Sequence, residues 1–118
     1  MSQELHARFE GADSNILVIE VPTELTHVNS EDLRGEVHSR MPDHDRAAVV
    51  LDLSGCRLIT SIGVAALLQI REACLDSHST LLLAALNSEL VEFFQMLRLF
   101  DLFQIVESVD DAIDRVAG

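Results

Sequence analysis

The pattern of apolar and polar positions alternates short apolar runs with amphipathic stretches. Ile16 to Val21 is apolar and β-branched and stops at Pro22, which reads as a strand. A weaker strand is expected at Leu5 to Phe9, with the Gly11-Ala12-Asp13-Ser14 turn between them, so the two form an antiparallel hairpin at a sheet edge. Asn29 or Ser30 can cap a first helix, with Glu31 and Asp32 in its first turn. Leu33, Val37 and Met41 give this helix one narrow apolar stripe, and Pro42 stops it. Ala47 to Leu53 is a nearly continuous apolar run broken by Asp52, as expected of a central strand buried on both faces.

Ser61 to about Leu75 predicts a second helix, with Val64, Leu67, Leu68, Arg71 and Leu75 at helical spacing. Thr80 to Leu86 is a further buried strand. Asn87 or Ser88 caps a third helix carrying Leu90, Val91, Phe93, Phe94 and Leu97. Phe103 to Val106 is a last short strand, and Ser108 with Asp111 resembles a capping box for a final helix. Strands alternating with helices imply parallel strands joined by crossovers. The fold class is therefore α/β: a mixed sheet with antiparallel first strands and about four helices packed on it.

Composition narrows the function. The 118 residues suit one domain spanning 1–118, and 48% hydrophobic residues supply a core without disulfide or metal support. Cys56 and Cys74 form no CxxC pair and the histidines are scattered, so no metal site and no cofactor is expected. Free thiols, no visible signal sequence in Met1 to Glu10 and no apolar run longer than Leu81 to Leu86 predict a soluble cytoplasmic protein without membrane insertion. Eight basic against twenty acidic residues leave a net charge of −12, which disfavours nucleic acid and favours a protein partner with a basic patch.

Candidate chemistry concentrates at Ile59-Thr60-Ser61-Ile62-Gly63, where a loop after the central strand opens the second helix. Thr60 or Ser61 can cap that helix, and Gly63 permits close backbone approach. The unpaired N–H groups and positive dipole end would accept a phosphate on Ser61; the same residues also describe an ordinary capped helix. A hydrolase elbow of the G-x-S-x-G kind needs a glycine before the serine, and Thr60 is not one, so no enzyme is expected. Cys74, among apolar neighbours, reads as structural, and Arg57 is the one charge placed to lower the pKa of the Cys56 thiol. Of Phe93, Phe94, Phe100 and Phe103 several must be core, and an exposed subset would mark a homodimer or partner surface.

The strand Val49-Val50-Leu51-Asp52-Leu53-Ser54 and the loop Ile59-Thr60-Ser61-Ile62-Gly63-Val64 resemble the STAS domain, whose strand reads roughly VVLDLS and whose loop reads I-D-S-S-G-L. Thr23-Glu24-Leu25-Thr26 occupies the place of the family's G-E-L-D turn. Leu99 to Ile105 and Ser108 to Ile113 look like its closing strand and helix, so the resemblance covers nearly the whole chain. It implies a non-catalytic binding module similar to bacterial anti-sigma-factor antagonists, taking part in partner switching. By position Ser61 is the phosphoacceptor for a kinase that is also the anti-sigma factor, and Thr26, His27, Thr60, Ser61, Ile62 and Gly63 form the binding surface. A phosphate adds nearly two negative charges and bulk there.

Four positions depart from the family pattern. Thr60 and Thr26 stand where aspartates are expected, removing two carboxylates near Ser61. Ile62 replaces a small polar residue, and Arg98 stands where a glycine commonly ends the third helix. Thr60 is itself a hydroxyl and an alternative acceptor. The lost carboxylates also suit a second function, a constitutive scaffold subunit of a signalling or transporter-associated complex.

Overall fold

A computed structural model describes residues 5–41 and 47–117. The expectation that Pro42 stops the first helix, and His44, lie outside the described residues. Strands β1 (Ala7–Glu10), β2 (Ile16–Glu20), β4 (Ala48–Asp52), β6 (Thr80–Ala84) and β7 (Gln104–Val106) form one five-stranded sheet in the order β1-β2-β4-β6-β7. β1 pairs antiparallel with β2, and all other pairs in this sheet are parallel. The expected hairpin and buried central strands are therefore present. Two further strands, β3 (Glu24–Leu25) and β5 (Leu58–Ile59), pair in parallel as a small second sheet that the sequence pattern did not indicate.

Alternation along the strands divides the core. Leu17, Ile19, Val49, Leu51 and Leu83 face helices α1 (Ser30–Arg40), α2 (Ser61–Asp76) and α3 (Ser88–Met96). Ile16, Val18, Val50, Leu82 and Val106 face the opposite way, against Ala112 of α4 (Val109–Ala117). Central strands thus bury both faces, which is why they read as unbroken apolar runs.

Several boundaries and faces differ from the sequence expectation. β1 begins at Ala7, and Leu5 lies before it, packed against the core. Met41 is the C-cap of α1 and covers the core from outside the helix. On α2 the buried stripe is Gly63, Ala66, Leu67, Ile70 and Cys74, whereas Leu75 is exposed and Arg71 sits at the edge, its Nε donating to the Leu102 carbonyl at 2.7 Å. Of the positions expected at helical spacing, Leu67 is buried and Val64 and Leu68 pack half-buried against the core; α2 is apolar around most of its circumference, so spacing alone did not place Arg71 and Leu75. On α3 Leu90 and Phe94 are buried, while Leu97 is its exposed C-cap. Of the phenylalanines, Phe94 and Phe103 are core, Phe93 is half-buried and Phe100 is exposed on a short 3₁₀ turn, Leu99–Asp101.

Arg98 adopts the left-handed conformation, with φ 58° and ψ 32°, immediately after the α3 C-cap. The helix thus ends with the geometry a glycine usually provides, but on a residue with a Cβ. That conformation costs an L-residue roughly 1–2 kcal/mol. Arg98→Gly is therefore expected to stabilise the protein by about 1 kcal/mol, read as a higher urea midpoint at unchanged slope. A lower midpoint would mean that the arginine side chain stabilises by more than the strain costs.

Candidate functional site

The small β3–β5 sheet and the start of α2 converge on one point, the Leu25 carbonyl. It accepts the Thr60 N–H at 3.0 Å and the Thr60 hydroxyl at 3.3 Å. The same hydroxyl accepts the Gly63 N–H at 3.3 Å, so Thr60 caps α2 and ties it to β3 at once. An aspartate could accept the Gly63 N–H but has no proton for the Leu25 carbonyl when ionised. Here the threonine joins two elements where a carboxylate would join one.

Gly63 lies in the first turn of α2, directly over β3. A Cβ at this position would fall 2.5 Å from the Leu25 carbonyl oxygen and 2.9 Å from Ile59 Cγ2. The close approach expected of Gly63 is thus a contact with a neighbouring strand's backbone.

Thr26 closes a second set of bonds. Its hydroxyl accepts the Val28 N–H at 3.1 Å, and its carbonyl accepts the Ser30 N–H at 2.9 Å and the Ser30 hydroxyl. Asn29 is the N-cap residue of α1, its carbonyl accepting the Leu33 N–H at 3.0 Å, but its side chain makes no cap bond to the helix. It turns back instead: its Oδ1 accepts the Thr26 N–H at 2.9 Å and its Nδ2 donates to the Glu24 carbonyl at 2.6 Å. Asn29 and Ser30 are the buried polar residues of the described chain, each 5% exposed. Sequence reasoning missed them as supports of the loop. The available signal was two consecutive cap-type residues where one cap suffices.

Ser61, the first residue of α2, is exposed, and so are His27, Val28, Leu58 and Ile62. Thr60 is partly buried and Gly63 is buried. The structure therefore brings the six predicted surface residues to one end of the molecule, with Ser61, Ile62 and His27 outward and Thr26, Thr60 and Gly63 as its frame. The hydroxyl of Thr60, weighed as an alternative phosphoacceptor, is engaged on both its donor and acceptor sides.

Cys56 is buried beneath the loop, its Sγ 3.6 Å from the Leu58 carbonyl, and burial pushes the thiol above its ordinary value. Arg57, the one charge placed to lower it, does not set the direction: its side chain is exposed while the thiol is buried, and desolvation dominates. Burial likewise pushes the Cys74 thiol up to about 11. Asn87 caps α3 through the Leu90 N–H at 2.9 Å and donates to the Cys56 carbonyl at 3.1 Å, bracing the same loop from below. Among the described residues no group of three His, Cys, Asp or Glu side chains is placed to hold a metal, and no helix is long and apolar enough to cross a membrane.

Comparisons with known proteins place this geometry. The family model for the STAS domain matches residues 10–112. No curated protein matches the chain. Among solved structures, an anti-sigma factor antagonist from Mycobacterium paratuberculosis is similar with TM-score 0.75 and 22% identity, over 100% of both chains. The anti-sigma factor antagonist SpoIIAA in its unphosphorylated form is similar with TM-score 0.72 and 16% identity, over 98% of this chain and 99% of that one. The murine Solute Carrier 26 family member A9 anion transporter is similar with TM-score 0.71 and 16% identity, over 86% of this chain but 18% of the transporter. At these identities the structures speak to the fold.

Proposed function

The chain belongs to the STAS domain family, and from that premise we propose that it is a non-catalytic, cytoplasmic regulator of the anti-sigma-factor-antagonist type, switched by phosphorylation of Ser61. The observation that carries this reading is the unequal use of two adjacent hydroxyls. Thr60 is engaged on both sides by Leu25 and Gly63, whereas Ser61 is exposed at the first position of a 16-residue helix. A kinase reaches Ser61 without undoing the fold, and the phosphate then sits at the positive end of the helix dipole. Its charge and bulk lie at the centre of the surface formed by His27, Ile62 and the Thr26 loop, so a partner docked there is released. The likeness to an antagonist described in an unphosphorylated form supports the same reading.

With a cognate serine kinase and ATP, the protein is expected to gain one phosphate by intact mass, and Ser61→Ala is expected to abolish it. Labelling unchanged in Ser61→Ala would remove Ser61 from this role.

A constitutive scaffold subunit is the second reading. It is favoured by Thr26 and Thr60, whose hydroxyls serve structural bonds and leave the surface without the two carboxylates of the family pattern. Affinity isolation from the native host separates the two: a kinase-like partner supports switching, and transporter or multi-subunit components support the scaffold. Exposed Met96, Leu97, Phe100 and Leu102 are the surface on which a homodimer would form, so light scattering belongs in the same experiment.

A further inference from the structure

Twenty acidic residues are spread along the chain, yet none lies between Leu53 and Arg71, the stretch that builds β5 and most of α2. The charges in this stretch are Arg57 and Arg71. Arg71 is engaged, by the Leu102 carbonyl and by Glu72 at 3.6 Å. Arg57 is exposed and makes no ion pair among the described residues, not even with Glu24, whose strand position pairs with Leu58. Its backbone is held by the Thr23 carbonyl at 2.7 Å, so the guanidinium extends from a fixed base.

Around it the surface is apolar. Leu58 is 48% exposed, Ile62 52% and Val28 67%. Val28 lies three residues beyond Leu25, the residue on which Thr60 and Gly63 converge, so chain length keeps it within about 10 Å of that point. Thr26 and Thr60 engage their hydroxyls with backbone groups and add no charge. Exposed Glu24 neighbours Leu58 across the β3–β5 pair, but residues 54–70 contain no Asp or Glu, and Arg57 makes no ion pair among the described residues. The molecule's extents are 34 × 31 × 24 Å, so carboxylates on the far side lie well beyond a Debye length of about 8 Å at physiological salt. Local charge therefore outweighs net charge in choosing what docks.

We infer that the partner segment recognised by the Ser61 face is apolar at its centre and carries a carboxylate at its rim, placed against Arg57. This rests on the reading that the Ser61 face is the docking surface, and it reverses the expectation from net charge that the partner is basic. It also sharpens the effect of a phosphate on Ser61, which would oppose the partner's own carboxylate.

The test uses the full chain, isotope-labelled, with three synthetic amphipathic peptides that share one leucine-rich face and carry Glu, Gln or Lys beside it. Amide shifts at Leu58, Ile62 and Val28 report occupancy of this face, and dissociation constants are read from them at physiological salt. The Glu peptide is expected to bind tightest and the Lys peptide weakest, with up to about fivefold between Glu and Gln, the upper end of what one exposed ion pair yields. Arg57→Glu is expected to reverse the order, and Ile62→Asp to weaken all three peptides. Leu75→Asp, an exposed change elsewhere on α2, is expected to alter nothing.

A Lys peptide that binds tightest at these amides, an order unchanged in Arg57→Glu, or no shift at these amides with any peptide overturns the inference. The Ser61 phosphorylation assay fails separately. Labelling lost in Ser61→Ala beside a Lys-preferring face overturns this inference and leaves the switch. A Glu-preferring face on a protein that is never labelled removes the switch and leaves this inference standing.

Discussion

Gly63→Ala is expected to lower the free energy of unfolding by about 2–3 kcal/mol, although alanine is the better helix former by about 1 kcal/mol. The new Cβ would lie 2.5 Å from the Leu25 carbonyl oxygen, 2.9 Å from Ile59 Cγ2 and 3.1 Å from Leu25 Cγ. The first of these atoms is backbone and has no rotamer to move into. Relief requires α2 to lift away from β3, and that lengthens both bonds from Thr60 to the same carbonyl. Gly35 is the internal control. It lies within α1, and a Cβ there meets nothing within 4 Å, so Gly35→Ala is expected to raise stability by roughly 0.5–1 kcal/mol. Urea titrations of the two variants should move the midpoint in opposite directions. A midpoint raised by both would show that α2 does not press on β3 as closely as this packing requires. Because the Ser61 surface is the exposed side of that same contact, Gly63→Ala should also weaken partner binding, and Gly35→Ala should not.

Asn29→Ala is the second large effect, expected to cost about 3 kcal/mol. One amide satisfies two backbone groups, the Thr26 N–H at 2.9 Å and the Glu24 carbonyl at 2.6 Å, and it does so while 5% exposed. Removing it leaves both without their partner in a largely dry place, at about 1–3 kcal/mol for each group left unsatisfied, part of which water recovers at the loop edge. Asn29→Asp separates the two bonds. It keeps the acceptor for Thr26 and loses the donor to Glu24, so its loss should be no smaller, since a carboxylate then faces a carbonyl oxygen. Calorimetric unfolding measures the losses, and hydrogen exchange at Thr26 locates them: its amide should lose protection in Asn29→Ala and keep more of it in Asn29→Asp. Unchanged protection of Thr26 in Asn29→Ala would mean that the loop is held by Ser30 alone.

Much of the fold was legible because its strongest signals are local. Ile16–Glu20 declared itself as a strand and Ala48–Asp52 as a central strand by apolar runs too short for helices, and Thr60, Asn87 and Ser108 declared helix starts by side chains that accept the N–H three residues on. β3 and β5 were not legible. Two residues each, Glu24–Leu25 and Leu58–Ile59, are too few to show a period, and their pairing joins positions far apart in sequence. The edges of the buried face of α2 were not legible for a related reason. Ile62, Val64, Leu67, Leu68, Ile70, Cys74 and Leu75 are all apolar, and only the position of the sheet decides that Ile70 and Cys74 go in while Ile62 and Leu75 stay out.

The candidate site divides in the same way. Its members, Thr26, His27 and Thr60 to Gly63, could be named from residue types and order. Their division of labour could not, because hydroxyls beside a helix start look alike until their partners are known. Sequence by itself determined the α/β order of elements, the helix caps and the segment around Ser61, since each depends on neighbours within a few residues. Tertiary structure alone decided that Leu25 is the hub and that the Asn29 side chain serves the loop while its carbonyl starts the helix. It also decided that an acidic protein presents an apolar, arginine-bearing end, because hydrogen-bond partners, close contacts and exposure are set by residues brought together only when the chain folds.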